Sequence, residues 1–152
     1  TRGTQDVDLL TYFDRLPLQE AELQRRFELP EEVRIFAGTV ARDMGLDPNW
    51  LNLGPSSLVQ LGLPAGLLGR AQSRQYGNSL TALYVHRLDQ IHLKLYASLG
   101  REERHVADLL ALKPSPQEML QAGRWVLAVA DEMVLKDDLQ RLIGDLGYDI
   151  TL

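Results

Sequence analysis

Cysteine is absent from the 152 residues, which excludes disulfides and thiolate metal sites. No apolar run approaches the roughly 18 residues that a membrane-spanning helix requires, and no signal peptide is visible, so a cytoplasmic protein is expected. Internal repeats and low-complexity tracts are missing as well. The chain has no excess of positive charge: 16 Lys and Arg stand against 21 Asp and Glu, a formal net charge of −5. That balance argues against broad, nonspecific electrostatic binding to nucleic acid, while leaving room for a local basic patch. The three histidines form neither an H-x-x-x-H nor an H-E pattern, so zinc has no support. What is present is an apolar content of 45%, enough to bury one respectable core, and one domain over 1-152 is the default expectation.

The opening stretch, TRGTQDVDLL, is the most informative. Asp6 and Asp8 lie two residues apart, so in a strand both side chains leave the same face, and Val7 and Leu9 turn to the other face and the core. Two neighbouring carboxylates offer hard oxygen ligands suited to Mg²⁺. A metal held there can grip nucleotide phosphates and stabilise the charge of a moving nucleotidyl or phosphoryl group. The plain alternative is two solvated aspartates at a strand end.

Arg2, Thr4, Asp6, Val7, Asp8, Leu9 and Leu10 form the pattern R-x-T-x-D-V-D-L-L. It resembles the second motif of nucleotidyltransferases of the DNA polymerase beta superfamily, particularly the small AbiEii-like and minimal nucleotidyltransferase-like bacterial proteins. In that family a Gly-Gly or Gly-Ser turn at a helix start precedes the strand and binds the triphosphate. No such turn stands before Thr1, and the chain is expected to lack an N-terminal strand and helix. The segment Gly45-Leu46-Asp47-Pro48-Asn49-Trp50-Leu51-Asn52 is similar to a stretch that, in a bacterial nucleotidyltransferase-like group, lies beside the nucleotide pocket or packs its wall. Trp50 would fill core or stack on a base, and Asn52 would cap the chain or contact a ligand. Many polymerase-beta-like enzymes carry a third metal-binding carboxylate on a neighbouring strand. None stands between Ser79 and Val85: either this strand supplies no acid, as in the AbiEii-like branch, or the site is incomplete.

Helical spacing and breakers divide the remainder. Thr11 to Leu16 reads as a loop. Pro17 opens a helix through about Phe27, with Glu20 and Glu22 in its early turns. Pro30-Glu31-Glu32 opens a second helix whose Val33, Phe36, Ala37, Val40, Ala41 and Met44 recur on one side to cover the sheet, and Gly45 ends it. Ser56 or Ser57 caps a short helix through Leu61, and Leu63-Pro64-Ala65-Gly66 breaks it. Leu68 to Tyr76, a Gly77-Asn78 turn and Leu80 to Val85 read as a hairpin. A helix follows from Leu88 to Leu99 with Asp89 as N-cap, Gly100 as its end and Ile91, Leu95 and Leu99 as the buried line. Ser115 and Glu118 form a capping box for a helix starting at Pro116, with Met119, Leu120, Trp125, Val126 and Val129 on or near its apolar side. Lys136-Asp137-Asp138 opens the last helix, with Leu139, Leu142, Ile143 and Leu146 inward and Gly147 closing it.

Two further segments carry the resemblance. Lys94 in His92-Leu93-Lys94-Leu95-Tyr96-Ala97 matches the lysine of the family's L-K-L-x-A helix, where it would meet phosphate charge. On its own it reads as a surface lysine. Arg104 and Asp108 are four apart, which by spacing makes an intrahelical ion pair. The family helix reads R-x-x-[KR]-D-x-x-D-L, and its last Asp orients the lysine or contacts the metal's surroundings. Asp108 and Leu109 match that end, whereas His105 replaces the first acid and would serve as a general base or as a surface histidine. Arg124, Lys136 and Arg141 form a charged face that could contact nucleic acid but reads more simply as solvated.

The expected fold is therefore α/β (α+β) and helix-rich: a small mixed sheet bears the D-x-D strand beneath several helices, with a helical C-terminal part. The resemblance implies a catalytic core over 1-112 and a helical part over 113-152. It implies an Mg²⁺-dependent transfer of a nucleotidyl group from a nucleoside triphosphate to a hydroxyl of an RNA or protein acceptor, with a two-metal site conceivable. Asp6 and Asp8 would hold metal, Lys94 and Asp108 would complete the catalytic set, and Arg2, Thr4, Lys94 and Asn52 would bind nucleotide. Relatives of this kind act as toxins paired with an antitoxin protein, on tRNA or protein acceptors. The alternative is a catalytically inert protein of the same fold that binds a nucleotide or a partner protein.

Overall fold

Pro30, Gly45, Pro64 and Pro116 punctuate the chain in the computed structural model, which describes residues 6–17, 19–100, 102–130 and 135–152. The architecture mixes helices with two small sheets and ends in a helical C-terminal part. Two compact units divide it, Thr1–Leu63 and Pro64–Leu152. The helices on either side of the expected division at 112/113 share one core within the second unit. Among the described residues, no helix is long and apolar enough to cross a membrane.

In the first unit, β1 (Val7–Asp8) pairs in parallel with β2 (Leu51–Asn52), with Val7 opposite Leu51 and Asp8 opposite Asn52. Between them in sequence runs α1 (Glu31–Met44). Pro30 sets the entry, Glu31 and Glu32 complement the helix dipole, and Gly45 ends it at φ 65°, a left-handed conformation that suits glycine. Only the small Ala37 and Ala41 of this helix are buried. Phe36 is 65% and Met44 70% exposed, and Val33 is exposed too, contrary to the expected apolar cover. A ladder of two residues per strand is too small to bury a helix face of that size, and the close approach falls to alanine. Trp50 is half-buried and donates its indole N–H to the Ala37 carbonyl at 2.9 Å, the packing use of that ring.

The helix expected from Pro17 to Phe27 shrinks to a single 3₁₀ turn over Glu20–Glu22. Tertiary hydrogen bonds take the backbone groups that a helix would use. The Thr11 hydroxyl donates to the Gln24 carbonyl, the Tyr12 hydroxyl donates to the Glu28 carbonyl at 3.0 Å, and the Arg26 N–H donates to Ser56 Oγ at 2.9 Å. Ser56 is thereby buried and is not a cap. Ser57 precedes α2 (Leu58–Leu61) and makes no side-chain capping bond.

The second unit begins with α3 (Leu67–Arg70) and a hairpin of β3 (Gln72–Tyr76) and β4 (Leu80–Tyr84), joined by a turn with Gly77 at φ 60°. This antiparallel pair is a sheet separate from β1 and β2, so the expected single mixed sheet is two sheets. One closes locally through its turn; the other joins segments far apart in sequence. Then come α4 (Arg87–Ala97), α5 (Glu103–Ala111), α6 (Pro116–Val129) and α7 (Leu135–Asp145). Ile91, Leu95, Leu109, Met119, Val126, Leu139 and Ile143 are fully buried and form one cluster. Burying each such side chain contributes about 1.5–3 kcal/mol. Gly123 belongs here because a Cβ would strike Leu152 and crowd Ile143. The capping box at Ser115 forms as expected, with Glu118 N–H to Ser115 Oγ at 3.2 Å and Ser115 N–H to Glu118 at 2.8 Å.

Candidate functional site

Asp6 stands just before β1 and Asp8 ends it, and both are exposed. Val7 is 44% exposed rather than turned into the core. Asp8 is held from across the ladder. Asn52, its register partner, donates from Nδ2 to Asp8 Oδ1 at 2.9 Å, while Asn52 Oδ1 accepts from the Gly54 N–H at 2.8 Å. The second bond fixes which end of the amide faces the carboxylate. A Cβ at position 54 would come within 2.8 Å of Asn52 Oδ1, so a larger residue there would push on the amide that holds Asp8. Among the described residues, Asp6 and the second oxygen of Asp8 have no hydrogen-bond or ion-pair partner. These free, hard oxygens fit Mg²⁺ rather than a soft metal. Among the described residues, no group of three or more His, Asp or Glu side chains could hold a metal ion.

Lys94 on α4 and Asp108 on α5 meet at 2.7 Å, with side chains 29% and 56% exposed. The spacing-based expectation of an Arg104–Asp108 pair is corrected: Arg104 bonds Glu102 at 2.9 Å. Asp108 instead faces across to α4, where Lys94 competes for it from a neighbouring helix. His105 Nε2 lies 3.5 Å from the same Glu102 carboxylate, and its Nδ1 is buried without a partner among the described residues. Asp6, Asp8 and Asn52 belong to the first unit, Lys94 and Asp108 to the second. Arg2 and Thr4 lie outside the described residues.

Asp89 does not cap α4. His86 takes that place, its ring nitrogen accepting from the Leu88 N–H at 3.2 Å. Asp89, three residues past that cap, is fully buried and is held by the fork of Arg70, with Nε donating at 3.0 Å and Nη2 to the other oxygen. A long-range cation outweighs the local capping preference, since a buried carboxylate needs a partner. Nearby, Arg87 donates to Leu112 O and Lys113 O at 2.9 Å each and to both oxygens of Glu118. The Arg87 guanidinium, together with the Ser115 N–H, pushes the Glu118 carboxyl down to about 2. The Glu118 carboxylate in turn holds the Arg87 pKa above its ordinary value.

One cluster escaped the sequence reading altogether. On β3 and β4, Arg74, Tyr76 and Tyr84 share a face, and the two tyrosine hydroxyls hydrogen-bond to each other. That bond raises the Tyr84 phenol above its ordinary value. The signal was available: between Asp47 and Asp89 the chain contains no Asp or Glu at all. No family model, curated protein or solved structure matches the chain.

Proposed function

We propose that the chain is an Mg²⁺-dependent nucleotidyltransferase, with an RNA or protein hydroxyl as acceptor and a role as the toxin of a toxin–antitoxin pair. The observation that carries this reading is the exposed Asp6–Asp8 pair, with Asp8 oriented by Asn52 at 2.9 Å. The contact of Lys94 with Asp108 at 2.7 Å supports it, as does the resemblance of R-x-T-x-D-V-D-L-L to the superfamily's second motif. In the reaction the acceptor oxygen bonds to the α-phosphorus of the triphosphate, the bond from that phosphorus to the bridging oxygen breaks, and pyrophosphate leaves. The acceptor's proton is lost to water. Asp6 and Asp8 would hold Mg²⁺, which when bound would supply positive charge to the phosphate oxygens. Asn52 keeps one Asp8 oxygen occupied and directs the other outward. Within the second unit, Asp108 restrains the long side chain of Lys94, the lysine that the resemblance assigns to phosphate.

Calorimetry of nucleoside triphosphate binding with and without Mg²⁺ tests the reading. Asp8→Ala should abolish the magnesium-dependent part, and Asn52→Ala should weaken it about tenfold, the loss of one hydrogen bond to a charged group. Magnesium-dependent binding that survives Asp6→Ala/Asp8→Ala, or no nucleotide binding at all, would overturn it in favour of an inert partner-binding protein.

A further inference from the structure

We propose that the Arg74, Tyr76 and Tyr84 face of the β3–β4 hairpin docks single-stranded nucleic acid by base stacking, making RNA the acceptor for the transfer proposed above. Its role as acceptor site rests on that reading; the contact itself does not.

The face is built by register. Residues two apart on a strand share a side, and Tyr76 lies opposite Leu80, Arg74 opposite Ala82 and Gln72 opposite Tyr84. Arg74, Tyr76 and Tyr84 therefore project together, with the small Ala82 adding little bulk between them. All five residues of β3 are exposed, and Tyr76 and Tyr84 keep 38% and 49% of their surface. Aromatic rings usually bury in a core; here two of them stand in the open, their hydroxyls joined by a hydrogen bond. The Arg74 guanidinium lies 5.0 Å from the Tyr76 ring centroid, so cation and ring form one surface.

Charge selects the occupant. From Asp47 to Asp89 there is no acidic residue, in a chain whose net charge is −5. Arg74 has no carboxylate within ion-pair distance among the described residues, whereas Arg70 and Arg87 are tied to Asp89 and Glu118. An uncompensated guanidinium between exposed rings suits a phosphate backbone with bases on the rings, the arrangement by which single strands are held. Acidic side chains elsewhere confine such binding to this face.

The test is fluorescence anisotropy with a labelled, unstructured RNA of about 12 nucleotides, a length within the usual site sizes. Saturable binding is expected. Tyr76→Ala and Tyr84→Ala should each weaken it about tenfold, the ordinary cost of one lost stack. Tyr76→Phe/Tyr84→Phe keeps the rings and should stay within about twofold, while Arg74→Ala should lower the salt slope by about one. Equal binding by a DNA strand of the same sequence supports the platform, because stacking does not read the 2′-hydroxyl. No saturable binding, or equal affinity of the Tyr76→Ala/Tyr84→Ala protein, overturns it. Losses on Tyr→Phe equal to those on Tyr→Ala also overturn it, because the hydroxyl bond and not the rings would then matter. Magnesium-dependent triphosphate binding, measured on the same proteins, should be untouched by the tyrosine changes. Its absence alongside intact RNA binding defeats the transferase reading and leaves the platform standing; the reverse defeats the platform alone.

Discussion

The two units are held together by different means. In Pro64–Leu152, large aliphatic side chains from four helices are sealed from water, and polar bonds dress the edges. Among the described residues of Thr1–Leu63, the buried apolar side chains are Ala37, Ala41 and Leu58, and the segments are joined by hydrogen bonds such as Arg26 to Ser56 and Asn52 to Asp8. A residue's contribution therefore depends on where it sits. Apolar volume decides stability in the second unit, and individual polar contacts decide it in the first.

The strongest probe of that contrast is Leu95, fully buried between helices. Leu95→Ala should cost about 2–5 kcal/mol in chemical denaturation; a loss below about 1 kcal/mol, the size expected at a surface site, would erase the distinction. Next is acid. Glu118 has a pKa lowered from 4.5 to about 2 by Arg87, so its contribution is complete above the ordinary value and is lost as pH falls from there toward 2. Because the pair is partly exposed, about 1–2 kcal/mol is expected after screening. Denaturation midpoints between pH 5 and 2 should show this loss in the parent and a flatter profile in Arg87→Gln. The smallest effect belongs to the first unit, where Ser56→Ala should cost about 1 kcal/mol by removing the acceptor of the Arg26 N–H. If that change costs nothing measurable, the first unit owes less to its polar contacts than its hydrogen bonds indicate.

Legibility followed the range of the interactions. The span of α1, β4 with the turn before it, the Ser115 capping box and the inward line of α7 all depend on neighbours within a few residues, and they read directly from sequence; the strand expected from Leu68 starts only at Gln72, behind α3. Pro17 to Phe27 did not, because its partners Thr11, Tyr12 and Ser56 are brought to it only by the folded chain. Asp89 has the side chain of a cap but is claimed by Arg70 from 19 residues away. For the candidate site, spacing alone assigned Asp108 to Arg104, and only the family resemblance linked it with Lys94, the partner it has in the structure. The restraint of Asp8 by Asn52 joins positions 44 apart, which no local pattern encodes. The tyrosine face of the hairpin was visible as an acid-free stretch, but charge was counted over the whole chain, and the local imbalance vanished in the total.

Arg87 shows what such long-range contacts mean for substitution. Its guanidinium serves four acceptors at once: two carbonyls at the end of α5 and both oxygens of a carboxylate on α6. A lysine would keep the charge but has one nitrogen with three donors and no planar fork. The position is half open to solvent, yet no other side chain can replace it there without leaving part of that helix junction unbonded.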